Sequence, residues 1–391
     1  MGVMRILFVA DGRSPTALNW ISFFVEQGHE VHLVSTYSCD PEIDFASINI
    51  IPVALNQAAS SSTSGGRGSL LKRITTPGFR TKLRQLLGPL TISGAAKRLS
   101  ALVEELQPEL VHAMRIPYEG MLAATAMKNS KIPLITSVWG NDFTLHANSS
   151  AAMRKLTRST LARTNALHSD TQRDQKLARQ WGFLAEKPST VLPGGGGIRL
   201  EIFNPPSSPP ASPTIINPRG VRAYIRNDTF FQAIPMVLEK VPEARFICPA
   251  MHGEKEAESW INKLNIASSV ELLPQQSRNQ MADLYRQAQI AVSLSEHDGT
   301  PNTLLEAMAC GCFPIAGDIE SLREWIDSGQ NGLLVPYDDP QVLALAILQV
   351  LIGKMEISKV VQYNLDLVSQ RAEYAKTMTA AQKFYAEISL S

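Results

Sequence analysis

The sequence predicts an α/β fold of two Rossmann-like domains, each with a doubly wound parallel sheet, and three observations predict it. Short, wholly apolar runs of the kind that form buried parallel strands alternate with longer amphipathic runs of helical period. The alternation breaks at two Gly-, Pro- and Ser-rich stretches, PGGGG (193–197) and NPPSSPPASP (204–213), and then restarts. The chain has 391 residues, 44% hydrophobic and 19% charged, which is enough apolar material for two or three cored domains.

In the first half, RILFVA (5–10) reads as a strand, SPTALNWISFFVEQG as a helix ending at Gly28, and HEVHLVS and INIIPVAL as the next two strands. PELVHAM and PLITSVWG are strands separated by the helix GMLAATAMKNS, and TNALHSD is a further strand. After the break, TIINP, ARFICPA, SVELLP, IAVSLS, FPIAG and NGLLVP are strands. NDTFFQAIPMVLEKV, RNQMADLYRQA, TLLEAMACG and SLREWIDSG are helices, and residues from about 340 onward repeat with helical period. The predicted boundaries are therefore a first domain at 1–195, a linker at 196–213, a second domain at 214–370 and a C-terminal helix at 371–391 packing back toward the first. The low-complexity run NQAASSSTSGGRGS (56–69) reads as a loop.

Composition excludes several classes. The net charge is +1, so no global excess of either sign argues for nucleic acid. The apolar N-terminal run is too short for a signal peptide, and VLALAILQVLIG, a dozen residues with a Gln inside, reads as a core helix. Cys39, Cys248, Cys310 and Cys312 form no disulfide framework, so a reducing cytosol is the expected location. No cluster of side chains has metal-ligand spacing, and neither a metal nor a cofactor is expected.

The segment HDGTPNTLLEAMACG (297–311) carries the chemistry. Asp298 stands just past the strand IAVSLS, where ligands sit in open α/β sheets. The turn DGTPN then opens a helix whose first amides and positive dipole end suit a phosphate. Glu306 lies in the otherwise apolar start of that helix, where a carboxylate without a partner is costly. Two carboxylates flanking an anion site suit a sugar nucleotide, which offers a pyrophosphate to the helix and hydroxyls to the carboxylates. A plain strand-to-helix turn with a solvent-facing Glu is the other reading.

This segment resembles the E-x7-E motif of the family 4 retaining glycosyltransferases of the GT-B fold, reproducing LLEAMACG at 304–311. FPIAGDIESLREWIDSGQNGLLVPYDDP downstream and RILFVADGRSPTALNWISFFVEQGHEVHLVS at the start are similar to the same family, so the resemblance covers nearly the whole chain. It implies two domains facing each other across a cleft. It implies that Asp298 contacts donor-sugar hydroxyls, that the backbone of Gly299, Thr300, Asn302, Thr303 and Leu304 meets sugar and phosphate, and that Glu306 binds the ribose. Asp298 is one methylene shorter than the family's Glu, and Pro301 brings no N–H where the family often has Gly.

By the same resemblance Arg219 and Arg226, in NPRGVRAYIRND (217–228), reach the pyrophosphate and stabilise charge on the leaving group, while Arg222 is as well explained as a solvated loop residue. Gly12 lets backbone approach the pyrophosphate, and Pro274 to Gln276 sit near the nucleobase. On the acceptor side, His112 ends a strand, with a satisfied core histidine as its alternative. In VWGNDF (138–143), Trp139 replaces a family His, so Asp142 or His112 takes part of that role.

No acidic residue lies between Asp44 and Glu104, a stretch that holds Arg67, Lys72, Arg73, Arg80, Lys82, Arg84, Lys97 and Arg98. Such a basic amphipathic run at 67–98 suits either an anionic membrane face or solvent. The expected function is transfer of a sugar, with retention, from a UDP- or GDP-sugar to an acceptor hydroxyl in polysaccharide or glycolipid synthesis. The alternatives are a GT-B sugar-nucleotide epimerase or hydrolase, and a non-catalytic sugar-nucleotide-binding subunit.

Overall fold

The computed structural model describes residues 2–53, 77–353 and 355–390, with side chains for all of these except 77–87. The chain divides into two compact units, one running to Gly196 and taking up the chain again from Lys376, the other Gly197–Ala375. The C-terminal helix thus belongs mostly to the first unit.

The first unit has a seven-stranded sheet in the order β3-β2-β1-β4-β5-β6-β7, with all pairs parallel. The strands are β1 (Arg5–Ala10), β2 (Glu30–Ser35), β3 (Ser47–Ile50), β4 (Leu110–Ala113), β5 (Leu134–Val138), β6 (Ala166–Ser169) and β7 (Ser189–Val191). Its helices are α1 (Pro15–Glu26), α2 (Pro77–Leu106), α3 (Met121–Ala126), α4 (Ala151–Arg163), α5 (Gln172–Gln180) and, at the far end of the chain, α12 (Tyr374–Ser389). The central strands are buried on both faces, which is why they read as unbroken apolar runs.

The second unit has a six-stranded parallel sheet in the order β10-β9-β8-β11-β12-β13. Its strands are β8 (Thr214–Ile216), β9 (Arg245–Cys248), β10 (Val270–Leu272), β11 (Ile290–Ser293), β12 (Phe313–Gly317) and β13 (Leu333–Val335). Its helices are α6 (Asn227–Leu238), α7 (Lys255–Leu264), α8 (Arg278–Gln287), α9 (Asn302–Ala309), α10 (Pro340–Ile352) and α11 (Ile357–Arg371). In each sheet the strand order reverses beside the first strand, β1 or β8, and that is where such folds bind ligands.

Several expectations change. SLREWIDSG is not a helix: a single 3-10 turn at Leu322–Glu324 stands there. Asn331 supplies the bonds a longer helix would have used, donating to the Trp325 carbonyl at 2.9 Å and accepting from the Asp327 amide at 2.7 Å. The helix read at 120–130 is cut to Met121–Ala126. The strand read at 48–55 is Ser47–Ile50, and its last residues, the loop read at 56–69, and Arg67, Lys72 and Arg73 lie outside the described residues. The side chains of Arg80, Lys82 and Arg84 are also outside them, whereas Lys97 and Arg98 are exposed on α2. Among the described residues no single helix is long and apolar enough to cross a membrane.

Candidate active site

The second unit assembles a charged cluster at the carboxyl ends of β8 and β11. After β8 the chain turns through Asn217, whose side-chain oxygen accepts from the Arg219 amide at 3.2 Å and whose side-chain amide donates to Asn227 Oδ1 at 3.0 Å. Asn227 also donates to the Gly220 carbonyl at 2.9 Å. Gly220 takes φ +63°, a left-handed value that favours glycine. This folded-back loop aims Arg219 at the next strand over.

There Arg219 meets Asp298. Its Nη2 lies 2.9 Å from Asp298 Oδ2, with both side chains nearly buried, at 8% and 12% exposure. Arg219 Nη1 donates to Thr303 Oγ1 at 3.3 Å. Ser295 Oγ and the Gly299 amide also donate to Asp298, each at 3.1 Å. The expected phosphate cation and the expected sugar carboxylate are therefore paired with each other.

Arg226 is also matched. It forks onto Asp228 at 2.8 and 2.7 Å and reaches Glu296 at 3.4 Å, and these carboxylates raise its pKa further above the usual range. Arg222 is exposed, with Tyr224 Oη as its acceptor at 3.3 Å.

The turn into α9 spends much of its own backbone. The Gly299 amide goes to Asp298, that of Asn302 to the Thr300 carbonyl at 2.9 Å, and those of Leu304 and Leu305 to the Pro301 carbonyl at 2.8 and 3.0 Å. This corrects the expectation that amides from Gly299 through Leu304 all face a ligand. Leu304 itself is fully buried in the core. Pro301, at φ −82° and ψ 69°, caps the helix without a side-chain bond.

Glu306 stands one turn into α9. Burial pushes its carboxyl up to about 7, against the Arg278 charge and the polar Tyr285 hydroxyl, both of which pull it down. Tyr285 is wholly buried on α8. Beyond β10, the Pro274 carbonyl accepts from the Ala250 amide at 3.2 Å and from Gln276 Nε2 at 2.9 Å, so these two candidates stand in one turn.

In the first unit three expected site residues turn inward. Gly12 is close-packed against its own chain: a Cβ there would stand 2.4 Å from Cys39 Sγ and 2.9 Å from Ser35 Oγ. Its amide donates to Ser35 Oγ at 3.0 Å. Asp142 is 1% exposed and ties down its loop, accepting from Arg115 at 2.7 Å and from the amides of Ile116 and Trp139 at 3.1 and 3.2 Å. Burial raises its pKa, while Arg115 and the two amides offset part of the rise.

His112 is fully buried, so the satisfied core histidine is the correct reading. A run of hydrogen bonds passes through it, and both ends fix its direction. His168 Nε2 lies 3.0 Å from the Leu192 carbonyl and must donate to it. His168 Nδ1 then accepts from Ser137 Oγ at 2.8 Å, and Ser137 accepts from His112 Nε2 at 2.8 Å. His112 Nδ1 accepts from the hydroxyl of Tyr385, on α12, and that oxygen accepts from Trp20 Nε1 at 2.9 Å. Both rings are neutral in this arrangement. Burial holds both pKa values down, with His168 at about 4.

Because an unfolded histidine titrates near 6.5, the stability these neutral rings contribute is complete above that pH. It is lost as pH falls toward the folded value of about 4. The unfolding free energy is expected to fall by a few kcal/mol between about pH 6.5 and 4, and a His168→Asn variant to lose part of that slope. Denaturant titrations at several pH values check it, and a flat profile across that range would count against neutral buried rings.

Sequence reasoning missed Arg115, Arg173, Ser295, Tyr285 and Tyr385. Arg115 and Arg173 hold loops, and Tyr385 is a partner from the other end of the chain. The residue types alone give no sign of these pairings.

Comparison with known proteins agrees with this geometry. Residues 5–171 match a family model described as glycosyl transferase 4-like, and residues 220–352 one described as glycosyl transferases group 1. An uncharacterized glycosyltransferase of Methanocaldococcus jannaschii is 31% identical over 135 residues, covering 34% of this chain and 38% of that one. A D-inositol 3-phosphate glycosyltransferase of Streptosporangium roseum is 33% identical over 186 residues, covering 43% and 42%. The chain thus spans less than half the length of either curated relative. Among solved structures, Anabaena HepE in complex with UDP superposes with a TM-score of 0.73 at 15% identity, over 98% of this chain and 100% of that one. Sucrose-phosphate synthase of Thermosynechococcus elongatus gives 0.72 at 15%, over 98% of each. At that identity these two establish the shared fold.

Proposed function

The chain belongs to the family 4 glycosyltransferases of the GT-B fold, and on that premise we propose that it moves a sugar, with retention, from a UDP- or GDP-sugar to an acceptor hydroxyl in polysaccharide or glycolipid synthesis. The observation that carries this reading is the convergence of Arg219, Asp298 and the start of α9 at the carboxyl ends of β8 and β11, with Glu306 on the first turns of that helix. On binding, the donor's diphosphate takes Arg219 from Asp298, and Arg226 adds a second cation. Asp298, once released, holds a hydroxyl of the donor sugar and offsets positive charge as the anomeric bond breaks. Glu306 grips the ribose, and the turn at Pro274–Gln276 borders the base. HepE was crystallised with UDP and with UDP-glucose, so uridine donors are the first to try.

Retention follows from attack on the face the diphosphate leaves. The acceptor oxygen bonds the anomeric carbon, the carbon–oxygen bond to the β-phosphate breaks, and the departing phosphate takes the acceptor proton. The arginines supply the counter-charge, and no metal is required by this scheme. The four cysteines are unpaired, which suits a cytosolic reaction, and the exposed Lys97 and Arg98 suit an anionic membrane face.

A melting-point screen over nucleoside diphosphates is expected to show one that stabilises the protein, because it binds the folded state. Sugar transfer to acceptors is then compared with release to water. Release to water alone would make the protein a hydrolase, and binding without turnover would make it a non-catalytic subunit.

A further inference from the structure

Five tryptophans are present, and four have an evident packing role. Trp20 and Trp325 are buried, while Trp181 and Trp260 pack against the hydrophobic cores. Trp139 does neither: it is partly exposed and belongs to no hydrophobic cluster. It follows β5 directly, at the carboxyl edge of the first sheet, where ligands of such folds sit.

The loop that carries it, residues 139–142, is held firmly. Asp142 takes the Trp139 and Ile116 amides and the Arg115 guanidinium, and the Asp142 amide donates to the Trp139 carbonyl at 2.8 Å. From the other side Arg173, itself nearly buried and paired with Asp174 at 2.8 Å, donates to the Gly140 carbonyl at 2.8 Å. Two nearly buried carboxylates and two arginines thus fix a loop whose partly exposed large side chain is an indole. Arg115 Cζ lies 5.8 Å from the centre of that ring.

The indole has a second peculiarity. Its Nε1 is buried and has no hydrogen-bond partner. A dry, unmade N–H bond costs ~1–3 kcal/mol, and a buried Trp N–H usually finds an acceptor. A small rotation of the ring that gave the N–H an oxygen would recover that energy.

We propose that Trp139 is a stacking platform for a sugar ring of the acceptor, and so that the acceptor is itself a carbohydrate. A pyranose offers an apolar C–H face for the partly exposed indole and hydroxyls for the polar groups of Arg115 and Asn141, and a rotation of the ring that uncovers Nε1 would add a hydroxyl for the N–H. An apolar lipid chain would satisfy the ring but not the N–H. This inference rests on the sugar-transfer reading and adds the acceptor class to it.

The test uses the full chain with methyl glycosides and short oligosaccharides of glucose, galactose, mannose and N-acetylglucosamine, read by ligand-observed saturation-transfer NMR. One of these is expected to bind, with saturation strongest on the protons of one ring face. Trp139→Ala should weaken that binding at least tenfold. Trp139→Phe, which keeps a ring but no N–H, should fall between, and it guards against a misfolded alanine variant. The melting-point rise with nucleoside diphosphate should be equal in all three proteins, since that binding depends on the second unit. Loss of that rise in the parent would instead count against the sugar-transfer reading. Sugar binding unchanged in both variants, or absent across the panel, overturns the platform. If the variants weaken sugar-nucleotide binding but not binding of the free nucleotide, the ring stacks on the donor sugar and the acceptor assignment falls.

Discussion

Arg219→Ala is expected to lower sugar transfer by ~100-fold or more and, unlike removal of an ordinary surface arginine, to destabilise the protein by ~3–5 kcal/mol. The catalytic part is the loss of a fixed cation where the leaving diphosphate gathers charge. The stability part comes from Asp298, whose carboxylate would stay nearly buried without its ion-pair partner. The two effects separate in a double variant. Removing Asp298 as well takes away the stranded charge, so Arg219→Ala/Asp298→Ala should be more stable than Arg219→Ala alone while remaining inactive. Denaturant unfolding of the three variants beside kinetics decides it. Near-parental turnover in Arg219→Ala would leave the arginine with a purely structural role.

Glu306→Gln is expected to act in opposite directions on stability and on binding. Its carboxyl is raised to about 7 in the folded protein, so folding favours the protonated form. The stability belonging to that form is complete below the unfolded value near 4.3 and is lost as pH rises through the folded value. At pH 8 the charge is therefore a burden, and the neutral Gln should stabilise the ligand-free protein by ~1–3 kcal/mol, the lower end reflecting its partial accessibility. Donor binding should move the other way. A charged carboxylate makes hydrogen bonds worth ~1.5–3 kcal/mol to ribose hydroxyls, so Gln should cost ~10- to 100-fold in affinity at that pH. For the parent, donor affinity should rise as pH climbs through about 7. Calorimetry across pH 6 to 8 measures both. A variant that binds as tightly as the parent would remove Glu306 from the ribose site.

What the sequence made legible was periodic or local. Buried parallel strands write themselves as apolar runs, and the turn at Asp298 shows its nature within five residues. Arg219, Asp298 and Glu306 were legible because each stands at a fixed offset from a strand end or a helix start. Long-range partnership was not legible. Whether His112 faces a ligand or a core depends on Tyr385, which is 273 positions away. Whether Asp142 serves chemistry or a loop depends on Arg115, 27 positions away and on another turn. SLREWIDSG has helical periodicity, yet Asn331 outbids the helix for its backbone groups. Trp139 was visible only as a departure from a family pattern, and its unpartnered N–H has no counterpart in the letters.

The one-way run from Trp20 through Tyr385, His112, Ser137 and His168 to Leu192 also sets a rule of substitution. Each interior member must both give one hydrogen and take one, so the interior positions admit a narrow alphabet. At 137, Thr meets the rule, whereas Ala offers neither function and Asp in its charged form can only take. At 385, Phe would silence the indole of Trp20 and the ring of His112 at one stroke. The two ends obey a looser grammar, since Trp20 need only give and the Leu192 carbonyl belongs to the backbone, indifferent to the side chain it carries. A saturation library scored for folded protein should therefore show its sharpest intolerance at 112, 137, 168 and 385 together, four positions scattered over more than two thirds of the chain yet behaving as one word.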